Sequence, residues 1–331
     1  MEAIVAARAG GPEELVLTET DRPLLADGEV LVRVAYAGVN FIDVYRRTGQ
    51  YPVDFPNVPG SEGSGVVCEV DDAVTSVQVG DRVAWVDGTS SYAAYVSVAA
   101  DRLIRVPDAI DLDVAAAAAL QGLTAHYLAT STFPIELSDD VLIHAGAGGV
   151  GLLLTQMARL RGAERIITTT STPSKAELSR QAGATNTLNY TEFTDIADEL
   201  PRAVKALTGG NGVQVVYDGV GRTTFDASLA SLTSRGMLVL FGASSGPVPP
   251  FELQRLNSGG SLYVTRPSLW HYVETRDELT RRSGELFDWI ARGDVTVHIG
   301  REFPLAEAAA AHRFLESRQS TGKVLLAVDP E

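Results

Sequence analysis

Gly146, Gly148 and Gly151, in the stretch VLIHAGAGGVG (141–151), carry the G-x-G-x-x-G spacing. A short apolar strand precedes them and the helical pattern LLLTQMARL follows. That order suits one kind of chemistry, the binding of a dinucleotide's phosphates. Gly146 is expected to let the chain turn sharply out of the strand, Gly148 to let backbone approach the pyrophosphate, and Gly151 to let the helix pack on the sheet. The helix start then offers unpaired N–H groups and a positive dipole end to the anion. With 31 glycines in the chain, the spacing alone says little; its place between strand and helix gives it meaning.

The next strand indicates which nucleotide. Sites for NAD usually carry an Asp or Glu about 20 residues beyond the glycines, to hold the ribose 2′-hydroxyl. Here that zone is Thr168, Thr169, Thr170 and Ser171, followed by Lys175, one of three lysines in the chain. Hydroxyls plus a cation suit a 2′-phosphate, which brings about two negative charges and several acceptor oxygens. NADPH is the expected cofactor. The plainer alternative leaves Lys175 as an exposed charge in the first turn of a helix.

These residues need a scaffold. RIITTTS (165–171), NTLNY (186–190), VQVVYDGVG (213–221), GMLVLFGASSG (236–246) and SLYVTR (261–266) read as strands. Between them, PSKAELSRQAGA (173–184) reads as a helix ending at Gly183, and 193–210 as a helix interrupted at Pro201. Such alternation predicts a parallel doubly wound sheet over residues 121–265. Residues 1 to about 110 are short strands between Gly, Pro and Asp turns, an antiparallel β pattern. Residues 111–130 read as helices with a break near Gly122. The tail, with helices over 277–293 and 305–320 and a closing strand at 322–329, is too short for a domain of its own. It is expected to fold back, giving domains 1–120 with 266–331, and 121–265.

Composition narrows the function. The 331 residues are 45% hydrophobic and 21% charged, ordinary values for a globular protein. A net charge of −15 repels phosphate backbones and disfavours nucleic-acid binding. The one cysteine, Cys68, sits in the apolar strand GSGVVCEV and reads as a core residue with no disulfide partner. No apolar run has the length of a membrane span, and no signal peptide is evident, so a cytoplasmic enzyme is expected.

AGVNFIDVYRRTGQYP (37–52), PGSEGSGVV (59–67), LQGLTAHYL (120–128), HAGAGGVG (144–151), VVYDGVG (215–221), LVLFGASSG (238–246) and YVTRPSL (263–269) together resemble the medium-chain dehydrogenase/reductase superfamily, in its zinc-independent quinone oxidoreductase, ζ-crystallin-like, branch. The resemblance spans nearly the whole chain. It implies an α/β protein: a Rossmann doubly wound parallel sheet plus a GroES-like antiparallel β-barrel catalytic domain. Where zinc-dependent relatives have a Cys and a His–Glu pair, this chain has Asn40, Ser61 and Glu62. One cysteine and five scattered histidines (His126, His144, His271, His298 and His312) cannot supply the usual zinc sites. His144 is expected to be buried and hydrogen-bonded, and Glu62 to be a structural anchor. Without a Lewis acid the expected acceptor is a quinone or a conjugated enone, whose developing charge is easy to carry.

The resemblance also implies a site. Asn40, Tyr45 and Tyr51 are its catalytic candidates, with the Asn40 amide donating to the acceptor's carbonyl oxygen and the tyrosines offering ring faces and phenol groups. Phe41, Ile42 and Asp43 lie beside the nicotinamide. Thr124, Gly148, Gly149, Val150 and Gly151 face the diphosphate, Ser171 and Lys175 the 2′-phosphate, and Tyr190 the adenine. Gly219, Phe241, Gly242, Ser244 and Ser245 line the nicotinamide half, and Val264, Arg266 and Arg318 complete the cofactor contacts. Taken alone, Tyr45 also reads as a core aromatic, Tyr51 as a loop residue, Asp43 as a helix cap, Arg266 as a surface charge, and Arg318 as part of a solvated helix face. Three functions follow: an NADPH-dependent metal-free quinone oxidoreductase, a 2-alkenal or enone reductase, and a non-catalytic nucleotide-binding or crystallin-like protein. Relatives pair through sheet edges, so a homodimer joined at SLYVTR is expected.

Overall fold

Alternating apolar residues set the first unit, Met1–Leu123 with Val273–Glu331. The structure is a computed structural model and describes residues 1–86 and 90–329. Strand β1 (Glu2–Ala6) pairs antiparallel with β2 (Leu15–Glu19). β3 (Glu29–Val39) runs into helix α1 (Phe41–Arg47), followed by β4 (Glu62–Val70), β5 (Arg82–Val86), β6 (Tyr95–Ala99) and β7 (Leu103–Arg105). β3 pairs antiparallel with β4 and with β6, and β5 joins β4 to β7. One face of β3 buries Val30, Val32 and Val34 against Val67, Val83, Trp85 and Val96. Each such side chain, fully buried, contributes about 1.5–3 kcal/mol. Helix α2 (Leu112–Tyr127) then leads out of this unit.

The second unit is Thr124–Tyr272. It holds β8 (Asp140–Ile143), α3 (Gly149–Arg161), β9 (Arg165–Thr170), α4 (Pro173–Ala182), β10 (Asn186–Asn189), α5 (Ile196–Leu207) and β11 (Val213–Asp218). α6 (Phe225–Ala230), β12 (Leu232–Leu240), α7 (Gln254–Ser258) and β13 (Tyr263–Thr265) follow. The strands are parallel, in the order β10-β9-β8-β11-β12-β13. The chain reverses its direction of progress between β8 and β11, and at such a switch point the carboxyl ends of the strands open toward ligands.

The tail returns to the first unit as α8 (Arg276–Ala291), β14 (Ile299–Pro304), α9 (Ala308–Glu316) and β15 (Lys323–Ala327). β15 pairs antiparallel with β3, while β14 lies parallel to β15. Phe303, Leu305, Ala308, Ala311 and Leu315 close the same core as β3. The units divide after Leu123 and after Tyr272, where the sequence suggested 120 and 265.

Several local expectations are corrected. α2 runs unbroken through Gly122, because a Cβ there would stand 2.7 Å from Leu286 Cδ2 of α8: this glycine makes room for a helix rather than ending one. α5 runs through Pro201, whose missing N–H costs one hydrogen bond while Leu200, Pro201 and Val204 are buried. Cys68 is half-buried, with Arg22 Nη2 at 3.3 Å from its sulfur, and is no core residue. β14 lacks clear alternation and was not foreseen.

Candidate functional site

Four elements of the first unit meet at Asn40, the residue capping α1. Its Nδ2 donates to Glu62 Oε1 at 2.6 Å. Its Oδ1 accepts from Lys323 Nζ at 2.9 Å and from Gln121 Nε2 at 3.4 Å. Lys323 also donates to Glu62 Oε1, and the Leu120 N–H of α2 donates to Glu62 Oε2 at 2.6 Å. Gly38 lies beside Glu62, where any Cβ would overlap the carboxylate. Glu62 is wholly buried and Lys323 is 1% exposed, so the pair interacts without water's screening. The amide that the sequence offers to an acceptor is therefore engaged inside the protein, and Glu62 is the anchor that the sequence suggested.

A second network is centred on Asp43, at the third position of α1. Asp43 Oδ2 accepts the Asn40 N–H at 2.9 Å, and Oδ1 accepts from Ser61 Oγ at 2.7 Å. Arg46 Nη1 in turn donates to Ser61 at 2.9 Å. Tyr92 bridges Asp43, at 3.4 Å, and His312 Nε2, at 3.1 Å. Arg47 Nη1 lies 3.0 Å from His312 Nδ1 and pairs with both oxygens of Glu316. An arginine can only donate, so His312 accepts on Nδ1 and carries its proton on Nε2. Burial pushes the Asp43 carboxyl up to about 6, against its hydrogen bonds from Ser61 and Asn40. Burial, with Arg47 adjacent, pushes His312 down to about 3. Asp43, one of the cofactor-side candidates, has both carboxylate oxygens engaged internally, and it closes the capping box of α1.

The aromatic candidates stand together on α1 and just after it. Tyr45 and Tyr51 have ring centroids 5.3 Å apart, and Phe41 lies 6.2 Å from Tyr45. Tyr45 is buried, whereas Phe41, Ile42 and Tyr51 are half-buried. The Tyr51 N–H donates to the Tyr45 carbonyl at 3.0 Å, folding the loop back on the helix.

In the second unit, the glycine turn follows β8 at the switch point. The left-handed residue of the turn is Ala145, at φ +53°, not Gly146. A residue with a Cβ held there costs about 1–2 kcal/mol. Gly146 is needed for packing, because its Cβ would stand 2.5 Å from Thr168 Cβ and 2.8 Å from Ser179 Oγ. A Cβ on Gly151 would overlap the Ala145 carbonyl. Gly148, the cap of α3, has the freest surroundings of the three: a Cβ would meet the Ala145 oxygen at 3.2 Å and otherwise only Ala145 Cβ at 3.9 Å. The turn thus fits a phosphate-binding backbone, least crowded at Gly148.

The other nucleotide candidates also follow the carboxyl ends of strands. Ser171 follows β9, and Lys175 lies in the first turn of α4, where Thr172 Oγ1 caps its N–H at 3.2 Å. The Lys175 side chain is half-buried, and burial lowers its pKa. Tyr190 follows β10. Gly219 and Gly242 pack backbone to backbone, and the Ser244 N–H donates to the Gly219 carbonyl at 3.2 Å. Ser245 Oγ donates to the Val220 carbonyl and accepts the Thr223 N–H, so its hydroxyl joins the two loops. Val264 lies on β13, and Arg266 just past it donates to the Leu240 carbonyl at 3.1 Å. Thr124 is buried in α2. The alternative that set Arg318 on a solvated helix face is corrected: it lies beyond α9 with φ +61°.

His144 is buried, as expected, with Thr169 Oγ1 3.1 Å from Nδ1 and Ser228 Oγ 3.0 Å from Nε2. Sequence reasoning did not single out Lys323, Gln121, Tyr92, Asp218 or Ser228. Lys323 had a usable signal, since scarcity marks all three lysines alike. The others carried none.

The sequence profile of the zinc-binding dehydrogenases matches residues 149–275, and that of the alcohol dehydrogenase GroES-like domain matches 26–108. The donor set does not suit zinc. An ammonium already compensates Glu62, Ser61 is held between Asp43 and Arg46, and no group of three or more His, Cys, Asp or Glu able to hold a metal occurs among the described residues. The chain is 43% identical over 322 residues to the quinone oxidoreductase of Pseudomonas aeruginosa, covering 97% of each chain. It is 39% identical over 332 residues to the 2-haloacrylate reductase of a Burkholderia species, covering 98% of each. A mycobacterial structure complexed with NADPH superposes with a TM-score of 0.96 at 50% identity, covering 99% of this chain and all of that one. Parallel sheet, glycine turn, antiparallel unit and near-complete coverage agree: this oxidoreductase belongs to the quinone oxidoreductase branch of the medium-chain dehydrogenase/reductase superfamily.

Proposed function

We propose that the chain reduces quinones with NADPH and without a metal ion. The observation that carries this is the arrangement at the switch point, where the glycine turn after β8 lies beside a β9 end that bears hydroxyls and Lys175 in place of a carboxylate. The mycobacterial neighbour, itself complexed with NADPH, supports the nucleotide, and the Pseudomonas relative's name supports the acceptor. When bound, NADPH supplies reducing equivalents from its nicotinamide.

The protein's part is to bind and orient. Gly148 to Gly151 and the start of α3 hold the diphosphate with Thr124, Ser171 and Lys175 take the 2′-phosphate, and Tyr190 packs on the adenine. The joined loops at Gly219 and at Phe241–Ser245, with Val264, Arg266 and Arg318, complete the cofactor contacts. Tyr45 and Tyr51 present aromatic faces and phenol groups to a planar acceptor. Asn40 sets the start of the helix that carries Tyr45. Lys323 supplies the positive charge that compensates the buried Glu62, which leaves that carboxylate occupied.

A second reading, reduction of a conjugated alkene, is favoured by the 39% identity to a 2-haloacrylate reductase. Oxidation of NADPH is measured with a benzoquinone, a naphthoquinone and a 2-alkenal, before and after chelator treatment. Turnover with quinones, unchanged by chelator, is expected. Turnover with the alkenal alone selects the second reading, zinc-restored activity overturns the metal-free claim, and binding without turnover leaves a nucleotide-binding protein. Among the described residues no helix is long and apolar enough to cross a membrane, and a cytoplasmic location is part of the proposal. So is a homodimer through β13, the sheet edge on which Tyr263 is 58% exposed; light scattering tests it.

A further inference from the structure

The strands on either side of the switch point are tied together by a buried string of side chains. Val220 and Gly221 N–H groups donate to Asp218 Oδ1 at 2.8 and 3.0 Å, and Thr224 Oγ1 and Ser228 Oγ each donate to Oδ2 at 2.7 Å. Ser228 has one hydroxyl hydrogen, which Asp218 takes, so toward His144 it can only accept. His144 therefore carries its proton on Nε2, and Nδ1 accepts from Thr169 Oγ1 at 3.1 Å. Thr169 in turn accepts the N–H of Ala145 at 3.3 Å.

The donors thus run one way: Ala145 to Thr169, to His144, to Ser228, to Asp218. One end grips the left-handed residue of the glycine turn, and the other grips the turn after β11 that leads through Gly219 and Gly221. Every side chain in the string is buried. Burial lowers the pKa of His144, which keeps the ring neutral and the direction of the string unchanged.

We propose that His144, Ser228 and Thr169 are positioning residues for the dinucleotide, holding the β8 and β11 turns in register so that diphosphate and nicotinamide are bound together. This rests on the reading above that the glycine turn takes a diphosphate. None of the three needs to touch the ligand. His144 and Ser228 act on the part of the nucleotide that spans the two turns, so their loss should spare the 2′-phosphate end; Thr169 lies on β9 two residues before Ser171 and is left out of that comparison.

The test is calorimetric titration of the full chain with NADPH and, separately, with adenosine 2′-monophosphate, which carries only the 2′-phosphate end. Ser228→Ala should weaken NADPH about tenfold or more while leaving the fragment within about twofold. Ser228→Thr, which restores a hydroxyl, should recover most of the affinity. His144→Gln, which cannot bridge Thr169 and Ser228 as the ring does, should repeat the loss and serves if Ser228→Ala fails to fold. NADPH affinity within about twofold of the parent in both variants would overturn the proposal, as would equal losses for NADPH and fragment, which mean general damage. Failure of the unaltered protein to bind NADPH would overturn the reading of the turn itself, and the proposal with it.

Discussion

Lys323 Nζ lies 2.9 Å from Asn40 Oδ1 although 283 residues separate them. The ammonium also contacts Glu62, and Asn40 closes the triangle by donating to the same carboxylate. Two charges with almost no exposure are stable there only because each has the other and the amide between them.

Lys323→Met should leave Glu62 buried without its cation and lower stability by about 3–5 kcal/mol. Combining it with Glu62→Gln should recover most of that, because a neutral pair of similar shape needs no compensation. Urea denaturation of the two single variants and the double variant measures the coupling. Strictly additive losses would show that the two side chains act independently.

Gly148→Val and Gly151→Ala should fail in different ways. The first brings a Cβ to 3.2 Å from the Ala145 oxygen, a tight contact, and should abolish NADPH binding at a smaller cost in Tm. The second drives a Cβ into the Ala145 carbonyl and should lower Tm itself. Thermal melts and nucleotide titrations of both proteins separate the two effects.

Lys175→Ala should raise the Kd for NADPH by about 10- to 100-fold, the value of a hydrogen bond to a charged group. NADH, which lacks the 2′-phosphate, should lose far less. Fluorescence titration with both nucleotides checks this, and equal losses would remove the 2′-phosphate assignment.

Asp43 and His312 should pull stability in opposite directions as pH falls. Asp43 has a folded-state value of about 6, above the ordinary 3.8. Its contribution is full below 3.8 and lost as pH rises through about 6. His312 is held near 3, below the ordinary 6.5, so its contribution is present above 6.5 and lost as pH falls toward 3. Asp43→Asn should therefore steepen the acid-side loss between about pH 6 and 4, and His312→Gln should flatten it. Urea midpoints across pH 4–7 read both slopes, and parallel curves for the two variants would contradict the assignment.

Much of the second unit was legible along the chain. Thr172, Pro173 and Gly183 mark α4 by local chemistry, a capping hydroxyl, a first-turn proline and a left-handed stop, and all three act at those positions. Gly122 and Pro201 misled for the opposite reason. Their effect depends on what packs against them, Leu286 in one case and a buried helix face in the other. Ala145 misled similarly: the positive φ fell on a residue with a Cβ because Thr169 holds its N–H, while the neighbouring glycine was needed to clear Thr168.

By itself the sequence determined the alternation of strands and helices in the second unit and the place of the glycine turn within it, because hydrophobic period, capping and turn residues act over a few positions. The tertiary structure alone decided that Asn40 faces inward to Lys323 and Glu62, that Asp43 joins Tyr92 and His312, and that His144 reaches Asp218 through Ser228. Those pairings bring together side chains far apart in the chain, and burial dictates them: a polar group removed from water must take whatever donor or acceptor the packed core sets beside it.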